Sequence, residues 1–200
     1  MPLAVKPESL IVASRGTVFV SNPNVALPEN GLKDLALSIG AASSPAGWER
    51  VPNTSRENLP SFDVEQGNSK ILGSWDVKSL RTVYEDGSVK LSFRVLQHDP
   101  DTMIKFLNGW KTETLEGAVM PASNWAITCG LAVVILDGNT VSGYHIPNMD
   151  AVVTGLPSLN LEGFAETTIQ GTAKAASNEV IKPNLGRSGL MAIYQPVALS

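Results

Sequence analysis

The sequence predicts a mainly β chain, a β-sandwich or barrel with one short flanking α-helix. Three observations carry this. Residues 88–97 (SVKLSFRVLQ) alternate apolar Val89, Leu91, Phe93 and Val95 with Lys90, Ser92 and Arg94, the period of a half-buried strand. Residues 125–136 (WAITCGLAVVIL) carry no charge and run into the hairpin signal Asp137-Gly138-Asn139. Between these two stretches lies HDPDTMIKFLNG, which reads as a helix with its own start and stop.

Taken in order, residues 1–14 form an N-terminal arm. The first strand falls on residues 16–21, where Thr17, Val18, Phe19 and Val20 are β-formers bracketed by Gly16 and Asn22-Pro23-Asn24. Residues 32–39 suit either a helical turn or a short strand, and periodicity does not decide between them. Residues 40–60 are rich in Ser, Pro, Asn and Gly, with Trp48 and Val51 the bulky apolar residues before Leu59. A loop of that length inside a compact domain usually binds or docks something. Residues 62–66 alternate Phe62 and Val64 with Asp63 and Glu65, Gly67-Asn68 turns the chain into residues 70–77, and Glu85-Asp86-Gly87 feeds the strand at 88–97. In the helix, Asp99 is placed to cap, Pro100 suits the first helical position and Asp101 favours the positive end. Met103, Phe106 and Leu107 share one side of it, and Asn108-Gly109 tolerates the left-handed stop. Residues 112–122 show no clear pattern.

In residues 125–136, Ile127, Cys129, Leu131, Val133 and Ile135 occupy one face and Ala126, Thr128, Gly130, Ala132 and Val134 the other, so both faces require cover. A second sheet covers one. The other is covered by a neighbouring subunit or by the chain's own helix and loops. With a neighbour as the cover, Trp48, Ala126, Thr128, Ala132 and Val134 are the candidate oligomer-interface residues. A charge at Ala132 is then expected to spare folding and block polymerisation, whereas Ile135→Asp abolishes folding. Residues 141–146 pair back until Pro147 stops them. Residues 164–173 place Glu166, Thr168, Gln170 and Thr172 on a polar face against Ala165, Thr167, Ile169 and Gly171. Residues 174–188 read as a loop and 189–195 as a closing strand ended by Pro196. Together these make one domain over residues 1–200, with the arm at 1–14, the long loop at 40–60 and a C-terminal segment at 174–200.

Two hundred residues with 43% hydrophobic content bury a real core. A net charge of -4 and the lack of any basic run argue against a main surface that grips nucleic acid. The single Cys129 excludes an intramolecular disulfide. Lys6, Pro7 and Glu8 interrupt the apolar residues of the first stretch, so no secretory leader is expected, and no uninterrupted apolar stretch is long enough for a membrane span. Catalysis has no candidate residue, and no cofactor or metal is expected. His98 and His145 sit on different elements, Asp99 and Asp101 are explained by capping, and Cys129 lies among aliphatics where a thiol is unreactive. A sugar-stacking platform built on Trp48 or Trp75 is the alternative use of the four tryptophans, although Trp in a small β protein more often serves the core or an interface.

The order of these segments resembles a known family. An early strand, the loop PAGWERVPNTSREN around Trp48, Gly73-Ser74-Trp75, SVKLSFRVLQ running into DPDTMIKFLNG, then GYHIPNMDAV and GFAETTIQGTA are similar to the major tail tube proteins of long-tailed, non-contractile bacteriophages, over about residues 15–173. The sequence departs from the family pattern at Val51-Pro52-Asn53-Thr54, where a Gly and an aromatic are more usual. The resemblance implies a sandwich subunit flanked by a helix, joined edge to edge into hexameric rings that stack into a tube. Its partners are other copies of itself and, by the same resemblance, the tape measure, tail terminator and distal tail proteins. It also implies a place in the virion after assembly in the host bacterial cytoplasm. DNA passes through the lumen without specific binding, a role suited by a surface poor in Lys and Arg. Glu166, Thr168 and Gln170 are the candidate lumen-facing residues, with an outer solvated face as the other reading of the same alternation. The arm, the 40–60 loop and the segment beyond residue 174 are the available contacts between rings. Tubes of contractile tails and secretion machines share this architecture and are the nearest alternative.

Overall fold

The structure is a computed structural model that describes residues 6–123, 125–157, 159 and 162–199. After a 3-10 turn at Pro7–Ser9 the elements are β1 (Arg15–Ser21), α1 (Leu32–Leu37), β2 (Trp48–Arg50), β3 (Ser61–Glu65), β4 (Ser69–Leu72), β5 (Arg81–Tyr84), β6 (Ser88–Val95), α2 (Pro100–Leu107), β7 (Trp110–Lys111), β8 (Ala118–Val119), β9 (Ile127–Asp137), β10 (Thr140–Gly155), β11 (Thr167–Ala173) and β12 (Ala192–Ala198). The chain is mainly β, as its alternation predicts.

An antiparallel eight-stranded sheet runs β2-β1-β9-β10-β11-β6-β3, with β12 paired to β10. The sixteen-residue β10 organises it. One edge of β10 pairs with β9 from Thr140 to Ala151, while its other edge pairs first with β12 and then with β11. β1 and β6 are separated by three strands in this order, yet Val18 and Val20 of the one share a core with Leu91, Phe93 and Val95 of the other. The sheet therefore bends over on itself around that core, as a sandwich does. Residues after β2 lace the open side without closing a barrel: Val51 N–H donates to Val18 at 2.8 Å, Ser55 N–H to Arg94 at 2.9 Å, and Thr54 bridges Val95. Asn53 takes the left-handed conformation there, with φ 49, which an Asn tolerates where a Gly is otherwise needed.

α2 forms as its sequence dictates. The Asp99 carboxylate accepts from Asp101 N–H and Thr102 N–H, both at 3.1 Å, Pro100 opens the first turn, and Asn108 ends it in the left-handed region. Phe106 packs edge-on to Phe93 with centroids 6.0 Å apart, which seats the helix on the sheet.

Several elements differ from expectation. Residues 32–37 are a helix, so two helices flank the sheet where one is expected. Leu32, Leu35 and Ala36 form its buried side. Pro147 does not stop its strand: β10 passes through it by a bulge between Ile146 and Met149, and Asn24 N–H takes the Pro147 carbonyl at 2.7 Å. Pro196 likewise lies inside β12, an edge strand in which a missing N–H costs no ladder bond. Of residues 70–77, where a strand is expected, only 70–72 are strand, three of the four residues of β4. Its partner β5 comes after Leu80, and residues 112–122 contain β8.

Candidate assembly surfaces

The two faces of β9 have different cover. The odd residues Cys129, Leu131 and Val133 lie in the core between the halves of the bent sheet. The even residues Ala132 and Val134 are 0% exposed beneath α1, in a second cluster with Phe19, Leu32, Leu35, Trp48, Leu136 and Val141. Trp48 is 3% exposed and its Nε1–H donates to the Ala26 carbonyl at 3.1 Å. The cover for Trp48, Ala132 and Val134 is thus the chain's own helix, which removes these three from the accessible surface. It also removes Trp48 as a sugar-stacking platform. Ala126 and Thr128, beyond the reach of α1, remain exposed.

Past the end of α1 the same sheet face turns polar. Residues directly opposite one another in antiparallel strands share a face, so register places Thr128, Asp150, Thr172, Lys90 and Asp63 in one row across β9, β10, β11, β6 and β3. The next row holds Val152, Gln170, Ser92 and Ser61, and beyond it Thr168 pairs with Arg94. Thr168, Gln170 and Thr172 point away from the core that buries Thr167 and Ile169. Thr128 belongs to this polar surface and not to a separate apolar one. Its hydroxyl donates to Asp150 at 2.7 Å.

Glu166 closes one end of the surface. Its carboxylate accepts from Ser55 Oγ at 2.5 Å, Arg94 Nη1 at 2.7 Å and Asn58 Nδ2 at 2.8 Å. Burial acts to raise its pKa, and the bonds from Ser55, Arg94 and Asn58 outweigh that, so the carboxyl sits below its ordinary range. At the other end Lys174 Nζ lies 2.7 Å from Asp150, and Lys90 Nζ lies 2.8 Å from Glu65. The Lys174 and Thr128 bonds hold Asp150 below its ordinary range. Sequence alternation places Thr168 and Gln170 on the polar face of their strand, as the structure does. It missed Asp150, because reading Pro147 as a stop hides the second half of β10.

A different surface stands off the body. β4 and β5 form their own two-stranded sheet, in which every residue is exposed. Ile71, Leu72, Val77, Leu80, Val83 and Tyr84 are large apolar side chains open to solvent on this hairpin, and Trp75 at its tip is fully exposed. The signal in the sequence is a run of β-formers between Gly67 and Gly87 with no partner strand of its own outside the run.

His98 Nε2 is 2.9 Å from Thr167 Oγ1, burial pushes the Cys129 thiol up to about 12, and burial pushes His145 down to about 4. Among the described residues, no group of three or more His, Cys, Asp or Glu is placed to hold a metal, and no helix is long and apolar enough to cross a membrane.

A bent antiparallel sheet with flanking helices, a polar half-face and an unpartnered apolar hairpin describes a structural subunit. A model of the phage tail tube protein family matches residues 3–182, and the chain belongs to that family. It is a structural protein of a bacteriophage virion. It is similar to the major tail protein Gp23 of Mycobacterium phage D29, 28% identical over 145 residues that span 72% of this chain and 73% of the relative. The major tail protein Gp23 of Mycobacterium phage L5 is similar to the same extent, with 28% identity over 145 residues and the same coverage.

Proposed function

We propose that copies of this chain close into hexameric rings that stack into the phage tail tube, the conduit through which DNA is delivered into the host. The observation that carries this is the β4–β5 hairpin. A two-stranded hairpin is marginal in water by itself, and this one exposes Trp75, Ile71, Leu80 and Tyr84 on a chain of a tube-forming family. The partner that fits is a second copy. Free edges at β3 and β12 offer backbone groups for pairing around the ring, which removes the aggregation hazard of an open edge. The exposed Ala126 and Thr128 lie at the margin of the same sheet, and the polar half-face carrying Thr168, Gln170 and Glu166 lines the bore. Tape measure, terminator and distal tail proteins meet the tube at its core and ends, and assembly takes place in the host cytoplasm.

Negative-stain electron microscopy of the purified chain across a concentration series tests this. Rings or tubes are expected from the parent chain, and Trp75→Glu is expected to leave folded subunits that do not stack. A parent chain that stays monomeric at every concentration overturns the reading.

A further inference from the structure

The polar half-face has a charge arrangement that the alternation of β11 does not disclose. Three cations lie on it, Lys90, Arg94 and Lys174, and each is in a salt bridge: with Glu65 at 2.8 Å, Glu166 at 2.7 Å and Asp150 at 2.7 Å. The Lys90–Glu65 and Lys174–Asp150 pairs are open to solvent and contribute little to stability, whereas the Glu166 carboxylate is largely buried. Their common feature is that each carboxylate is also fixed by a second, uncharged donor. Ser88 Oγ holds Glu65 at 3.2 Å, Thr128 Oγ1 holds Asp150 at 2.7 Å, and Ser55 and Asn58 hold Glu166. Each carboxylate is thereby held by an uncharged donor as well as by its cation. Asp63, opposite Lys90 in the register, adds a further carboxylate to the face.

We infer that Glu65, Asp150 and Glu166 hold the three cations of this face so that it offers no grip to nucleic-acid phosphates. This rests on the reading that the face lines the bore, where DNA must slide. A free Lys or Arg exchanges its counterion for a DNA phosphate, and each such contact adds affinity that falls steeply with salt. A cation already paired with a fixed carboxylate has no counterion to release. The face is therefore wet and hydrogen-bonding, yet slippery to a polyanion.

The test is a titration of a short labelled DNA duplex with the full chain kept dilute and unassembled. The triple variant Glu65→Gln, Asp150→Asn, Glu166→Gln is compared with the parent and with a control that makes the same net-charge change elsewhere, Glu29→Gln, Glu113→Gln, Glu179→Gln. The face variant is expected to bind DNA at least tenfold more tightly than either, with affinity falling about 40-fold between roughly 50 and 200 mM salt, the slope for about three phosphate contacts. Equal binding by both triples, or no gain in a face variant whose circular dichroism matches the parent, overturns the inference. Should the triple not fold, Asp150→Asn frees Lys174 alone and is expected to gain a slope near one phosphate contact, about -0.9; no gain there overturns it equally. Because the titration uses subunits, its result is separate from tube formation, which the micrographs decide.

Discussion

The Trp48 ring stands edge-on to His145, with centroids 5.5 Å apart and planes inclined at 63°. His145 is 1% exposed, and its Nε2 has no hydrogen-bond partner among the described residues. His145 lies opposite Ala132 in the register of β10 and β9, on the side of the sheet that α1 covers.

Burial holds the His145 pKa at about 4, below its ordinary 6.5, so the folded state keeps the imidazole neutral. Between those values the unfolded chain binds more protons than the folded one, and stability falls as pH falls. The loss is complete near pH 4 and amounts to roughly 3 kcal/mol, since each tenfold difference in proton affinity between the two states is worth about 1.4 kcal/mol. Urea midpoints of the parent are expected to drop from pH 6.5 to 4, and His145→Gln is expected to flatten that slope. An unchanged slope refutes the assignment.

Ala132→Glu is expected to yield no soluble folded subunit, because the new carboxylate would lie under α1 with no water to solvate it. This reverses the expectation drawn from β9 alone, that a charge there spares folding. Soluble expression with native circular dichroism would show that α1 does not hold that face closed.

Asp99→Ala removes the cap of α2 and is expected to cost about 1 kcal/mol at neutral pH. Hydrogen bonds from Thr102 and then Gln97 hold the Asp99 carboxyl at about 2, below its ordinary range. Its contribution is therefore full above about pH 4 and is lost as pH falls through 2. Parent and variant stabilities are expected to converge at the acid end; a difference that persists below pH 2 would assign the loss to packing.

Gly171→Ala places a methyl group where the Met149 Cε already lies, across β10 and β11. Overpacking of this kind costs about 1–3 kcal/mol. Shortening the intruder in the double variant Gly171→Ala, Met149→Val should recover part of the loss, measured as a double-mutant cycle in urea. Additive losses would show that the two side chains do not compete for the same space.

Replacing residues 68–85 by a short Gly linker is expected to leave the unfolding midpoint within about 0.5 kcal/mol of the parent. Neither core cluster contains a side chain of β4 or β5. The same deletion is expected to abolish tubes in micrographs. Normal tubes from the deletion would move the ring-to-ring contact elsewhere.

The sequence by itself determined the strand alternation of β6 and β11, the Asp99 cap and the left-handed stop at Asn108, because each depends on neighbours within a few residues. It also showed that both faces of β9 require cover. Only the tertiary structure decided what supplies it: α1 over Ala132 and Val134, with Thr128 left on the polar side. Periodicity records that a side chain avoids water and says nothing about which element shields it. Pro147 and Pro196 read locally as stops, and a bulge and a sheet edge accommodate them, since both depend on pairing with strands distant in the chain. The ion pairs at Asp150, Glu166 and Glu65 were hidden for the same reason: strand register, which is set by long-range hydrogen bonds, brings together charges that lie 24 to 72 residues apart.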